Sequence, residues 1–400
     1  MNKSQKRNML FLMISLFFLG SSATDIYISS LPKMVEVFHS TATIVNLTLS
    51  ANLFGVAVAA LFVGEFSNKY GRRPTLLWGI FCFCFSSLLI GLIPNIWVII
   101  VLRVVQAVGC AVIFVIPRLI FKDYMDEKEQ INANGFLLMG VMISPALAPV
   151  IGAYLDVYFG WESCFWFSAI FGLVLLKIAY NIVPETLDTK MVKFHPVSHY
   201  LHIYNVLFQN RIFLVLTTMY SAGIGAFFAF IGISSYLYIN YWHMTPEQYS
   251  SLYIWLAVAY FIGNQIMRRL NNKGYSAGRI IQIGTYSTML GCLIMLLALF
   301  IHILFIKIIV VTVAVLFMRG ANALSNPPSQ VLIMKHCGGH SALALGLNMG
   351  ISSVVMGLGV SLVTIFDLHP YYGLVIVSSF FVAISVITYA LNRRIFSLDN

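Results

Sequence analysis

Asp25 and Arg103 are the two residues of this chain whose chemistry is hardest to read as ordinary structure. Asp25 stands near the end of a long apolar run, Phe17-Phe18-Leu19-Gly20-Ser21-Ser22-Ala23-Thr24-Asp25-Ile26-Tyr27. If that run crosses a bilayer, Asp25 is the only carboxylate placed well inside a span. A bare carboxylate there costs about 2.5–3.5 kcal/mol on insertion scales, so it is protonated, paired with a cation or turned to a wet cavity. A group that passes through all three conditions in turn carries a proton. Arg103 lies equally deep, in Arg103-Val104-Val105-Gln106-Ala107-Val108-Gly109, and needs a partner or a cavity of its own. Arg103 and Gln106 share a helix face, and Gly109 permits close helix contact. At a rise of about 1.5 Å per residue, Asp25 and Arg103 both fall in the outer half of their spans, where they can meet. The other reading of Arg103 is purely structural.

The elements that position these charges follow from composition. Of 400 residues, 60% are hydrophobic and 10% charged, whereas a soluble domain carries about a quarter charged residues. The chain is an all-α membrane protein. Runs long enough to span need about 20 residues, and they fall at 8–31, 43–66, 74–93, 96–121, 132–155, 160–182, 211–238, 248–269, 278–301, 303–326, 341–365 and 370–391. These twelve transmembrane helices form two six-helix halves, 1–182 and 211–400, joined by a linker at 183–210. The formal charge of +10 reflects topology rather than nucleic-acid binding. Lys3, Lys6, Arg7, Lys69, Arg72, Arg73, Lys122, Lys128, Lys190, Lys193, Arg211, Arg268, Arg269, Lys273, Arg279, Lys335, Arg393 and Arg394 fall on one side, and Lys33 and Lys307 on the other. By the positive-inside rule, both termini and the linker are cytoplasmic. The basic N-terminus and the apolar run from Met9 have the look of a signal peptide. The run is too long and lacks a clean small-residue cleavage site, so it reads as a retained first span. The six cysteines lie within or beside apolar runs without metal spacing and read as reduced packing residues.

The linker, from Pro184 to Asn210, reads as a surface connector with an interfacial helix. His195, His199 and His202 share a helical face that would suit a metal, but a solvated amphipathic face explains them as well; no metal is assigned there, nor to His336 and His340. The C-terminal half has no embedded acid, since Glu247 and Asp367 fall at loops. It does carry Arg319, with Asn322 beside it, and Arg319 binds either an anionic substrate group or a helix-end carbonyl. Tyr220, Phe227, Phe230, Tyr236 and Tyr238 on the seventh span, with Phe228, line a cavity or face lipid and packing. Asn264 and Gln265 in the eighth span contact substrate or bridge helices. Tyr27 and Gln106 are the corresponding cavity candidates of the first half.

Three local patterns add conformational machinery. Gly64-Glu65-Phe66-Ser67-Asn68-Lys69-Tyr70-Gly71-Arg72-Arg73-Pro74 joins the second and third spans: Gly71 permits a tight turn, Arg72 and Arg73 hold the loop at the headgroups, and Pro74 starts the next helix. This segment resembles the signature loop of the major facilitator superfamily (MFS), in which an acid stands where this chain has Asn68. The resemblance implies a latch closing the cytoplasmic side, here without the acid's charge although Asn68 still accepts a hydrogen bond. The segment from Arg103, extended by Arg118…Lys122-Asp123, is similar to the MFS motif associated with proton transfer. Ser144-Pro145-Ala146-Leu147-Ala148-Pro149-Val150-Ile151-Gly152 combines Pro145 and Pro149, which bend the helix, with small residues such as Gly152. It resembles the motif that marks MFS antiporters. With Asp25-Ile26-Tyr27-Ile28-Ser29-Ser30-Leu31-Pro32, Gly160-Trp161 and Pro184-Glu185-Thr186-Leu187, the pattern looks like the Bcr/CflA-type drug:proton antiporters, densely in the first half and thinly in the second. Ser29 stands where that group has proline, and Ala60 where it has glutamine.

The resemblance implies an exporter in a bacterial inner membrane, exchanging a cytoplasmic small molecule for an external proton. No Walker A motif, nucleophile elbow or HExxH is present, so neither ATP hydrolysis nor an enzymatic reaction is expected, and no cofactor beyond the proton gradient is called for. One charge moved through 100 mV is worth about 2.3 kcal/mol, a gradient of roughly fifty-fold. With one embedded acid, one proton per cycle is expected, which disfavours export of dications. The partners expected are a small molecule and the bilayer, not nucleic acid, with the chain acting as a monomer. The rival readings are a dedicated exporter of a polycarboxylate metabolite or siderophore, with Arg103 and Arg319 as anion clamps, a nutrient importer, and a non-transporting membrane sensor.

Overall fold

The computed structural model describes residues 3–124, 127–187, 197–337, 341–366, 369–393 and 396, and among these every regular element is helical. Two compact units divide the chain: Met1–His195 with Pro246–Tyr253, and Pro196–Thr245 with Ile254–Asn400. The linker expected over 183–210 is thus shared between them. His195, His340 and Asp367 lie outside the described residues, and so do Lys190, Lys193 and Arg394.

The first unit holds α1 (Lys3–Asp25), α2 (Leu31–Val37), α3 (Ala42–Tyr70), α4 (Arg72–Leu92), α5 (Ile96–Tyr124), α6 (Glu127–Phe159) and α7 (Glu162–Ile182). The second holds α8 (Val197–Gln209), α9 (Arg211–Ser235), most of α10 (Pro246–Asn272), α11 (Ala277–Leu297), α12 (Leu304–His336), α13 (Ser341–Val363) and α14 (Pro370–Leu391). Among the described residues, ten stretches are long and apolar enough to cross a membrane, and α6 contributes a shorter apolar stretch, Ile143–Phe159. The remaining long helix, α10, is less apolar because Asn264, Gln265, Arg268 and Arg269 lie along it. With α1 and α2 counted as one span, each expected span finds a helix. The short α8 is amphipathic and buries Ile203 and Leu207 in a cluster with Phe213 and Leu216 of α9.

The structure departs from the sequence expectation in two places that bear on the site. The first span is not one helix over 8–31. Its α-helix stops at Asp25, a 3₁₀ turn covers Ile28–Ser30, and α2 restarts with Pro32 in its first turn. Pro32 has no N–H to return to an upstream carbonyl, so it can open a helix but cannot continue the preceding one. The tenth span does not end at 326: α12 runs through Pro327 and Pro328 to His336. Prolines are tolerated inside membrane helices because neighbouring groups satisfy the carbonyls they free.

The break at residues 26–30 is seated on α6. A Cβ at Gly152 would collide with the Ile26 carbonyl oxygen, so only glycine lets the two backbones approach this closely. The core of this unit gathers Phe17, Leu19, Phe83, Cys110 and Ile113 from α1, α4 and α5. All six cysteines are free thiols, five of them buried.

Candidate functional site

In the first unit the break in the outermost reach of α1 creates a polar knot. The last carbonyls of any helix lack an intrahelical donor, and a cation there also meets the negative end of the helix dipole. Arg103 supplies both. It is wholly buried, and its Nη1 donates to the Ala23 carbonyl at 2.8 Å and to Gln106 Oε1, while its Nε donates to the Thr48 carbonyl at 3.0 Å. One guanidinium therefore ties the end of α1 to α3. Its own carbonyl accepts from Asn52 Nδ2 at 3.2 Å. Gln106 passes the chain of hydrogen bonds on, its Nε2 donating to Ser87 Oγ of α4 at 2.6 Å. Tyr27, in the broken segment, lies with its ring 4.9 Å from the guanidinium and its hydroxyl 2.9 Å from Thr48 Oγ1. Three of the expected residues, Tyr27, Arg103 and Gln106, thus meet in one buried network.

Asp25 stands on the other side of this knot. Its carboxylate, half-buried, accepts from Ser144 Oγ of α6 at 2.8 Å. Ser144 directly precedes Pro145, and Pro149 follows one turn later within the same helix. Arg103 reaches the backbone two residues before Asp25, so the charges are neighbours through the Ala23 carbonyl. Nε and Nη1 of Arg103 are engaged by two backbone carbonyls and an amide, whereas its Nη2 is buried with no hydrogen-bond acceptor among the described residues. Sequence reading passed over a second buried carboxylate, Asp156 in the last turn of α6, which pairs with Lys33 Nζ at 2.8 Å.

The expected gating loop is built at the start of α4. Gly71 has φ +100°, a region that L side chains avoid, and a Cβ there would stand 2.5 Å from Glu185 Oε2. The carboxylate of Glu185 accepts from the backbone N–H groups of Arg72 and Arg73 at 2.9 and 3.2 Å. It thereby caps the N-terminus of α4, where orphan donors and the positive dipole end favour an anion. Arg72 Nε bonds Asp123 Oδ2 at 3.0 Å and its Nη1 bonds Asn68 Oδ1 at 2.8 Å. Thr186 Oγ1 donates to the same Asp123 oxygen at 3.0 Å. The loop is therefore fastened to the ends of both α5 and α7. Gly64 is different: nothing lies within 4 Å of a Cβ placed there.

In the second unit, Arg319 of α12 lies between two rings, 4.5 Å from the centroid of Phe227 on α9 and 4.5 Å from that of Tyr260 on α10. Phe230 packs 6.2 Å from Phe227, and Tyr236 is buried in the short π-helical turn Tyr236–Tyr241 that ends the seventh span. Asn264 is half-buried on α10. Asn322 and Tyr220 line a separate small cavity of about 10 Å³ with Thr285, Asn326, Ser329 and Ser385. Arg319 and Asn322, close in sequence, thus serve different surroundings. Tyr260 was not singled out from sequence, because one tyrosine among many in apolar helices carries no distinguishing signal.

A family model described as Major Facilitator Superfamily matches residues 10–360. Among curated proteins, Multidrug resistance protein D of Escherichia coli is 28% identical over 273 residues, covering 68% of this chain and 68% of that protein. The Chloramphenicol resistance protein of Pseudomonas aeruginosa is 27% identical over 278 residues, covering 69% of this chain and 64% of that one. An uncharacterized transporter of Rickettsia bellii is 27% identical over 282 residues, 70% of this chain and 69% of its own. The fold matches solved transporters end to end: a bacterial homologue of the human lysosomal transporter Spinster at TM-score 0.76 and 14% identity, covering 100% and 99% of the two chains, and a D-xylose-proton symporter at TM-score 0.75 and 13% identity, covering 96% and 97%. A broken first helix, a cation at its end and a loop fastened beneath it are therefore the local features of a multi-pass membrane transporter, not an enzyme, that belongs to the Major Facilitator Superfamily.

Proposed function

We propose that this chain is a proton-coupled exporter of the Bcr/CflA type, moving drug-like or amphipathic small molecules out of the cytoplasm in exchange for an external proton. The observation that carries this reading is the Asp25 carboxylate at the broken end of α1, bonded to Ser144 of the antiporter-like segment of α6. The relatives named for multidrug and chloramphenicol resistance support the substrate class. Both termini are cytoplasmic in this reading, and the membrane is a bacterial inner membrane.

The cycle follows from differential affinity, since each ligand shifts the two states only by binding one of them better. Open to the outside, Asp25 takes up a proton. Open to the inside, substrate arrival favours its release, and Ser144 Oγ donates to the carboxylate that remains. Arg103 keeps its place throughout, holding the end of α1 against α3. One acid implies one proton per cycle, so neutral, zwitterionic, monocationic or anionic compounds are exported and dications poorly.

The test is proton flux in vesicles reconstituted with the purified full chain, read by an enclosed pH dye against a panel of lipophilic drugs and small polycarboxylates. Substrate-dependent flux is expected in wild type and absent in Asp25→Asn. Equal flux in both would move the proton site elsewhere. Flux with polycarboxylates alone would favour the dedicated metabolite exporter, with Arg319 as an anion contact.

A further inference from the structure

On the outer flank of the first unit, α4 and α7 are separated by a groove of about 500 Å³, a volume within the range of about 300–1,000 Å³ typical of small-molecule sites. Its walls are apolar and aromatic: Trp78 and Phe81 from α4, Leu173 and Leu176 from α7. Trp78 and Leu173 are 63% and 49% exposed, so in a membrane they face lipid. The groove also carries one charge, Lys177, an exposed residue five positions before the end of α7. Leu173 to Tyr180 spans about 10 Å along the helix, so the groove enters the span from its basic end.

A second cation stands where the groove opens. Arg73 Nη2 donates to the Tyr180 carbonyl at 2.8 Å, its guanidinium lies 5.2 Å from the Tyr180 ring, and Tyr180 lines the groove. Of the described carboxylates near this end, Glu185 is taken by the backbone N–H groups of Arg72, Arg73, Thr186 and Leu187 and Asp123 by Arg72 and Thr186. Among the described residues, no carboxylate lines the groove itself. A lysine stem lying along apolar surface with its ammonium directed to the headgroups, an arginine at the same level and an aromatic-walled channel below them describe a phosphate above and an acyl chain beneath. Basic pockets between transmembrane helices on this side of a bilayer select anionic headgroups.

We infer that the groove between α4 and α7 binds one anionic phospholipid, its phosphate at Lys177 and Arg73 and an acyl chain against Trp78, Phe81 and Leu173. The site is independent of proton coupling. It adjoins the fastened end of α4 through Arg73, so its occupancy stabilises the unit on the side where the Arg72–Asp123 pair closes.

The test is native mass spectrometry of the purified full chain offered dioleoyl phosphatidylglycerol and dioleoyl phosphatidylethanolamine in equal amounts. Wild type is expected to retain the anionic lipid about five-fold over the zwitterionic one, the effect of about one lysine contact at a membrane surface. Lys177→Gln should bring that ratio close to one, and Lys273→Gln, at the end of α10, should leave it as in wild type. Leu173→Trp, which fills the groove without altering charge, should lower retention of both lipids. Because the readout is a ratio on the folded monomer ion, reduced yield of a variant does not imitate it. Equal retention by wild type, a preference that survives Lys177→Gln, retention unaffected by Leu173→Trp, or a lipid-free dimer in place of the lipid-bound monomer would each overturn the proposal.

Discussion

The fourth long helix of each half carries a deeply placed arginine, Arg103 in α5 and Arg319 in α12, and the two are held differently. Arg103 uses its edges: Nη1 and Nε reach the Ala23 and Thr48 carbonyls and the Gln106 amide oxygen. Arg319 uses its faces, stacked between Phe227 and Tyr260 at 4.5 Å from each. An arginine whose edge is engaged is a strut, because its fork geometry fixes the backbones it joins. An arginine held by its faces keeps charge in an apolar span through the rings' quadrupoles. The first arrangement suits a fixed joint in a broken helix, the second a contact for a polar group. Depth agrees with that division: Arg103 lies about 10 Å from the start of its helix and Arg319 about 22 Å from the start of its own, by residue count.

The largest effect should come from breaking the strut. Arg103→Ala leaves the Ala23 carbonyl and the Gln106 amide oxygen without this donor and removes the tie to α3 at Thr48. At about 1–3 kcal/mol for each buried acceptor left unsatisfied, a loss of about 2 kcal/mol or more is expected in chemical or thermal unfolding of the purified protein. Arg103→Lys keeps the charge but not the fork and should recover less than half of that. Full stability of the lysine variant would mean that charge alone, not the two-carbonyl geometry, holds the end of α1.

Arg319 should respond in the reverse order. Arg319→Lys gives up stacking worth about 1–2 kcal/mol but keeps a cation near the same place. If the edge of Arg319 meets an anionic group of the substrate, the lysine variant transports anionic compounds with a raised KM, and Arg319→Ala loses them while still exporting neutral ones. If both variants lower the unfolding temperature and leave KM unchanged for every compound, Arg319 is a packing element like Arg103 and the contrast between the two fails.

How far these arrangements were legible in sequence depends on what recognises what. The spans were readable because about 20 apolar residues are needed to cross a bilayer whatever surrounds them, and the loop at Gly71 was readable because glycine, arginine and proline act there over a few residues. Arg103 was readable as a buried cation, but its partners were not, since a backbone carbonyl such as that of Ala23 or Thr48 has no identity in a sequence. The same limit hid the break at Asp25, where Pro32 gave the one local cue. Glu185 lies 113 positions from Arg72, and nothing local to either residue announces that one caps the helix of the other. Asp156 looked like a residue at a span end, and its burial against Lys33 depends on how α2 folds back after the break.

The smallest effects test a second contrast, inside the gating loop itself. Gly71 and Gly64 belong to one sequence motif, yet only Gly71 has a positive φ and a carboxylate oxygen 2.5 Å from where a Cβ would stand. Gly71→Ala should cost about 1–3 kcal/mol from backbone strain, with Glu185 displaced from the N-terminus of α4 as well. Gly64 sits within α3 with open space around its Cα. Alanine there removes the entropy that glycine loses in a helix, so Gly64→Ala should stabilise by about 0.5–1 kcal/mol. A Gly64→Ala protein that is at least as stable as wild type but transports slowly would place the role of Gly64 in movement between states, where open space in this structure must fill in another. Unchanged transport would confine the conformational requirement of the loop to Gly71 and its Glu185 cap.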